Sequence, residues 1–418
     1  MILSKTFMFR LSALAFVCFA TPALAFYLRG VAGLFAFLTA AGVLGFAEGA
    51  WLPFFERFKD GLCRFKWFFL ALLWYFVGLC AKVYYYGDGL ADWRLVMSPV
   101  VLFLASAFAV GFLYDERCYR HFQIMFLTGI AIQSAFLIHA IVTDVVAFRT
   151  TLLETHGAWV YGDQAGFALV AMVFPTLVWR AFKQTGLLKV LLLACCVTIA
   201  VSLAICTFAT PVGLLFLAVL VVVLVSLFFP ITRKSYVVAI FFAAFLSMAS
   251  IAGYIATRDN PLLGNAYYKL SNVVDDPKSG GYRGRDAEEG SRWMLSGISI
   301  NSFLEAPLFG RARGGVRNST YLGGHSSIFD YLGGYGMLGG GMAYCFTIFF
   351  LLAVSWRRFA SERSWETMLC FTSVLLLVVG GVVNPYWDGW QPAYVLLLAR
   401  PVSRAVHPRR HLPDEGNI

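Results

Sequence analysis

Eleven apolar runs, each close to the length of a bilayer crossing, decide what this chain is able to fold into. They lie near 6–27, 31–50, 67–86, 95–114, 123–145, 164–182, 187–208, 211–231, 236–256, 328–355 and 367–383. The hydrocarbon core of a membrane takes about 20 apolar residues in helix, and a helix satisfies its own backbone where water is absent. A weaker run, "WQPAYVLLLARPV" from Trp390, would make a twelfth; it is short and carries Pro392, which predicts a tilted or partly re-entrant segment. Composition agrees: 60% of residues are hydrophobic and 13% charged, where soluble domains carry about 25% charged. The expected fold is an all-α polytopic membrane protein of about 12 transmembrane helices.

The net charge of +10 does not point to nucleic acid, because the cations come in short clusters between apolar runs. With the N-terminus inside, the cytoplasmic side receives Arg57, Lys59, Arg64 and Lys66, then Arg117 and Arg120, then Arg180, Lys183 and Lys189. It also receives Arg233 and Lys234, then Arg357, Arg358 and Arg363, and a tail with Arg400, Arg404, Arg409 and Arg410. The short outer loops hold only Arg29, Arg94 and Arg149, so the positive-inside rule puts both chain ends in the cytoplasm. The resulting division is 1–256 for spans 1–9, 257–327 for one large outer loop between spans 9 and 10, 328–405 for spans 10–12, and 406–418 for a cytoplasmic tail. The first 26 residues also fit a cleaved signal ending at Ala25, and cleavage would leave the later spans oriented as before. The nine cysteines form no framework: Cys80, Cys195, Cys196, Cys206, Cys345 and Cys370 lie inside apolar runs, and no ligand spacing calls for a structural metal.

The outer loop is the exception to this pattern, and a polar connection of about 70 residues is usually either functional or disordered. It holds "SRWMLSGISINSFLEAPLFG", which reads as a helix capped by Ser291 and ended by Pro307, with Trp293, Ile300, Phe303 and Leu304 at helical spacing. Trp at one end and Arg292 on the rim suit a membrane surface. Arginines flank it on both sides, in "YRGRDAEEGSR" and "GRARGGVR". A planar guanidinium fork takes phosphate oxygens two at a time, and interleaved glycines let the backbone approach an anion. Arg283, Arg285, Arg292, Arg311, Arg313 and Arg317 are therefore candidate diphosphate ligands, with Asp286, Glu288 and Glu289 able to neutralise part of the set. His325 follows in "GGHSSIFDYLGGYGMLGGG", its pKa range suited to a general base. Asp330 is either a cap at the start of the next helix or a contact to a glycan, and most of the glycines suit close helix packing.

"RWMLSGISINSFLEAPLFGRA" followed by "GGHSSIFDYLGGYGMLGG" resembles the signature of the O-antigen polymerase and ligase superfamily. The resemblance is strongest over 291–341 and extends loosely through span count, loop position and the "NPYWDGW" segment after the eleventh span. A weaker echo is "THGAWVYGDQAGFALVAMVFP", with Asp163-Gln164 where the family often has Pro-Asn. The resemblance implies a glycosyltransferase of the bacterial inner membrane, with its active site on the outer face. It implies an undecaprenyl-diphosphate-linked glycan as donor, no metal and no other cofactor, membrane lipid as surroundings, and room for a chain-length regulator as partner. It also implies that Arg292 and its neighbours meet the diphosphate while His325 activates the acceptor hydroxyl.

Within the family, polymerisation of lipid-linked repeat units into O-antigen, capsule or exopolysaccharide is the first expectation. Ligation of a finished glycan to lipid A-core in lipopolysaccharide is the alternative. Ligases often carry Ser-Arg-Gly near the turn between spans 7 and 8, where this chain reads "TFATPVG". A transporter or lipid flippase is the rival of a different class; it predicts charges buried in mid-span and internal repeats, whereas Glu48 and Lys82 fall near span ends and no repeat is evident. The topology is directly testable. In a cysteine-free background, Lys278→Cys is expected to react with a membrane-impermeant maleimide on intact cells, and Lys59→Cys only after permeabilisation. Reaction of both from the same side would overturn the span count.

Overall fold

Helix formation follows the apolar runs because a main chain in lipid has no other partner than itself. The structure, a computed structural model, describes residues 4–20, 30–86, 93–143, 164–206, 209–229, 292–311, 322–323, 326–384, 386–387 and 390–401. The expected span at 236–256 lies outside them. Fourteen helices occur among the described residues, with no strand. The first nine are α1 (Lys5–Ala20), α2 (Gly30–Ala47), α3 (Trp51–Arg64), α4 (Lys66–Tyr86), α5 (Trp93–Gly111), α6 (Glu116–Thr143), α7 (Gln164–Phe182), α8 (Gly186–Ala204) and α9 (Ala209–Phe228). The rest are α10 (Arg292–Glu305), α11 (Ser327–Tyr335), α12 (Gly341–Glu362), α13 (Trp365–Val383) and α14 (Trp390–Ala399). Among the described residues, six segments are long and apolar enough to cross a membrane: Lys66–Tyr84, Glu116–Thr143, Gly186–Ala204, Thr210–Phe228, Gly341–Glu362 and Trp365–Val383. Shorter apolar helices cover Gly33–Ala47, Val96–Gly111 and Gly166–Phe182.

Three elements differ from the expectation. The basic stretch 51–66 is not a bare loop but contains α3, which packs on α5 through Phe54 and Phe112, ring centroids 4.9 Å apart. Leu52 and Phe55 stay exposed beside its charges, the pattern of a helix lying on a membrane surface. The run 328–355, expected as one span, is two helices, α11 and α12. Gly336 at φ 64° and Gly340 at φ 101° sit in left-handed backbone that a continuous helix cannot contain. The last run forms α14, only 10 residues and wholly buried. At 1.5 Å per residue it covers about 15 Å, roughly half the hydrocarbon core, and being apolar all round it fits inside a bundle and not against water.

Around α14 stand α5, α7 and α13, with α2 touching it more lightly. The core here is aromatic: Phe19 meets Phe126 at 4.5 Å and Tyr394 at 5.7 Å, both edge-on. Between α12 and α13 the chain reverses within two residues. Arg363 takes a left-handed conformation, φ 42°, and Ser364 and Thr367 cap each other, Ser364 N donating to Thr367 Oγ1 at 3.2 Å and Thr367 N to Ser364 Oγ at 3.3 Å. Many large apolar side chains face outward, Phe46, Trp67, Leu73 and Phe228 among them, as a lipid-facing surface requires.

The α11–α12 break is seated on α4. A Cβ on Gly78 would stand 2.6 Å from the carbonyl carbon of Gly339, so only glycine admits the break this close. Gly78→Ala is therefore expected to cost about 1–3 kcal/mol through forced backbone shifts, read as a lower Tm of the detergent-purified protein. Gly297→Ala is the contrasting variant: nothing approaches its Cβ position within 4 Å, and replacing a helical glycine adds up to about 1 kcal/mol of helix stability. Equal Tm values for the two variants would refute the packing account.

Candidate functional site

The described residues between 292 and 341 are assembled into one unit. Helix α10 packs on α11. The face it turns inward carries Ser299 and Ser302, while Ile300 is 39% and Leu304 69% exposed. In lipid or at its surface this inversion is favourable, because exposed apolar groups cost little there and buried hydroxyls find partners. After α10 the chain runs back along the break. Arg311 N donates to Gly333 O at 3.0 Å, Met337 N to Pro307 O at 2.9 Å, and Leu338 N to Leu308 O at 2.7 Å. The "APLFGR" segment and the glycine-rich turn thus satisfy each other's backbone.

A buried carboxylate organises the start of α11. Asp330 is 1% exposed and accepts from the hydroxyl of Ser299 and, through Oδ2, from Ser326 N at 3.1 Å. Ser299 Oγ in turn accepts from Gly323 N at 3.0 Å. Gly323 and Ser326 flank the segment that carries His325, so both ends of that segment are held by the same Ser299–Asp330 pair. The carboxylate also lies at the positive end of a helix, where negative charge is favoured.

Below this pair lies the "NPYWDGW" segment, with Trp387 fully buried. Its indole Nε1 donates to Leu377 O at 2.9 Å and its backbone N to Ser327 Oγ at 2.9 Å. Its carbonyl accepts from the Tyr344 hydroxyl and from Tyr331 Oη, the latter at 3.4 Å. Asn384 Nδ2 donates to Thr210 Oγ1 at 2.7 Å, which joins this segment to "TFATPVG" at the start of α9. Tyr75 stacks on Tyr344 at 4.4 Å and meets Tyr331 edge-on at 6.1 Å. Lys82, near the end of α4, is buried; its ammonium donates to Gly334 O and lies 5.1 Å from the centre of the Tyr335 ring.

The expected site residues fall into three groups. Asp330 is inside the unit, but buried and engaged as an anchor, so direct contact with a glycan is not what this conformation offers it. Arg311 is at the unit's edge and forms an ion pair with Glu305, an acid that the charge count of the flanking stretches omits. Arg292 opens α10; its side chain lies outside the described residues. So do His325, Arg283, Arg285, Arg313 and Arg317, together with the Ser291 cap. Four participants escaped notice as site residues: Ser299, Lys82, Asn384 and Thr210. Lys82 had the clearest signal, as a lone cation within the apolar run "LCAKVYYY".

No protein-family model matches the chain, and no curated protein matches it. The class stands on the chain's own geometry: it is a helical, multi-pass membrane protein. The anchor is open to test. Ser299→Ala and Asp330→Asn each leave a buried partner unsatisfied, at an expected cost of about 1–3 kcal/mol. Because both substitutions break one network, the double variant is expected to lose well under the sum. Thermal unfolding of the three purified variants measures this, and strict additivity would show that the two residues act independently.

Proposed function

We propose that the chain is a membrane glycosyltransferase that polymerises undecaprenyl-diphosphate-linked repeat units on the outer face of a bacterial cytoplasmic membrane. The observation that supports this best is the double anchoring of the His325 segment. Ser299 lies in the first half of the family-like signature and Asp330 in the second, and together they bind the residues on either side of His325–Gly324. The two stretches thus meet at Gly323 and Ser326, the described neighbours of the His325 position, which supports the reading of a positioned base.

In this reading His325 accepts the proton of an acceptor sugar hydroxyl. The hydroxyl oxygen attacks the sugar carbon bonded to the diphosphate, the carbon–oxygen bond to the diphosphate breaks, and the electron pair leaves with it. The departing diphosphate needs no acid, because arginines absorb its charge. Arg292 and Arg311, at the two ends of the α10 segment, and Arg283, Arg285, Arg313 and Arg317 beyond them supply that set. Asp330 serves as a positioning residue through its hold on Ser326. The transporter reading gains nothing from the buried cations: Lys82, Arg180, Arg358 and Arg400 all lie near helix ends.

A positioned base contributes about 10²- to 10⁴-fold. His325→Ala and His325→Gln are both expected to abolish polymer while the protein still inserts in the membrane. Glutamine keeps hydrogen bonding but takes no proton, so near-normal polymer from His325→Gln would refute the base assignment. Lipid-linked glycans in a deletion strain separate the two family activities: single repeat units on the carrier accompany loss of a polymerase, and full-length polymer on the carrier accompanies loss of a ligase.

A further inference from the structure

The opposite end of the bundle holds a second polar centre that the proposed reaction does not use. Here α6 begins, α7 ends and α14 ends. Arg180, buried at the end of α7, donates through Nε to Gln123 Oε1 at 2.5 Å and through Nη2 to Glu116 Oε1 at 3.3 Å. Arg400 follows α14 and donates to the other oxygen of Glu116 at 2.9 Å, to Leu113 O at 2.5 Å, and lies 4.0 Å from the centre of the Tyr119 ring. Glu116 is thereby shared between two buried guanidinium groups.

Beside this knot is an open pocket of about 180 Å³ lined by Glu116, Arg117, Arg120, Arg180, Lys183 and Gln184. Four cations line it against one carboxylate, and that carboxylate is already committed to Arg180 and Arg400. Arg117 and Arg120 are exposed and form no ion pair among the described residues. Asp115, the nearest other acid in sequence, is occupied as the cap of α6, accepting from Arg117 N at 2.8 Å and Cys118 N at 3.2 Å. The pocket therefore carries unbalanced positive charge with guanidinium forks at its mouth, which suits a phosphate group.

Its surroundings indicate where that phosphate comes from. Immediately after Lys183 the chain turns into α8, whose first turns expose Leu187 by 74% and Leu191 by 54%. These two are four residues apart, on one face, and in a membrane protein such a face meets acyl chains. The distribution of basic residues assigns this end to the cytoplasmic leaflet, where anionic phospholipids concentrate and basic pockets between helices hold their headgroups. We propose that Arg117, Arg120, Arg180 and Lys183 form a binding site for the phosphate of an anionic phospholipid of the inner leaflet, with its acyl chains along Leu187 and Leu191. Arg180 is the fixed wall of the site and the three exposed cations are its adjustable mouth.

The test uses the detergent-purified full chain titrated with phosphatidylglycerol or with phosphatidylcholine, bound lipid being counted by native mass spectrometry. The wild type is expected to hold phosphatidylglycerol at least about tenfold more tightly, since each cation near an anionic headgroup contributes about a fivefold factor. The triple variant Arg117→Gln, Arg120→Gln, Lys183→Gln should bind both lipids alike; its three sites are exposed, so folding is retained. Lys59→Gln with Arg64→Gln on α3 removes two charges at the same end but outside the pocket and should leave the preference intact. The proposal is overturned by a triple variant that keeps the preference, or by an α3 variant that loses it equally. It is also overturned if inorganic phosphate at millimolar concentration shifts the Tm while phosphatidylglycerol shows no preference, which would make the pocket a soluble-anion site.

Discussion

Every main-chain N–H and C=O placed at membrane depth must find a partner inside the protein, because lipid offers none. Regular helices meet that condition alone, whereas the irregular segments near the candidate site meet it through one another or through side chains of the helices beside them. Residues 307–311 bond to the turn between α11 and α12, and the segment around Trp387 takes hydroxyls from Ser327, Tyr331 and Tyr344. Lys82 supplies a cation to the Gly334 carbonyl near the end of α11. Removing residues 307–311 would leave the turn between α11 and α12 with unsatisfied backbone, and removing the segment around Trp387 would strand the Tyr331 and Tyr344 hydroxyls. The site is therefore a mutually dependent unit, and that dependence gives a broken helix in an apolar setting a defined shape.

The same condition explains why small residues cluster here. Close backbone pairing between a turn and a neighbouring helix leaves no room for side chains, so Gly78 faces the turn, and the left-handed residues within it are Gly336 and Gly340. Rigidity in this scaffold suits a proposed chemistry that depends on a base and a leaving-group cradle held in register. At the other end of the bundle polar groups are handled differently. There long side chains, Arg180, Arg400 and Glu116, tie α6, α7 and the end of α14 together, and Arg400 also reaches the Leu113 carbonyl. Arg180, Arg400 and Glu116 lie at or just beyond helix ends, where charge is tolerated better than in mid-span.

Much of the helical layout was legible from apolar runs, because length and hydrophobicity alone decide whether a helix crosses lipid. Most of the described helices overlie the expected spans, and α10 appears where its caps and spacing suggested. The break within 328–355 was not legible: a run of glycines reads equally as helix-packing surface or as a turn, and only the neighbour Gly78 decides which. Ile300 and Leu304 of α10 are exposed, as a helix at a membrane surface expects, while its Ser299 and Ser302 turn inward. Asp330 could be read as cap or ligand from sequence, and its burial against Ser299 favours the cap-like role.

By itself, then, the sequence determined that this chain is built of apolar helices of membrane-crossing length, and it singled out which signature-like residues are candidates for chemistry. These follow from properties of single segments, summed over about 20 residues, which need no knowledge of neighbours. Only the tertiary structure decided that α14 is a buried half-length helix, that Ser299 and Asp330 jointly hold Gly323 and Ser326, and that Arg180 and Arg400 share Glu116. The last two depend on hydrogen-bond distances between residues far apart in the chain. Such distances are set by how helices pack, and no local pattern encodes them.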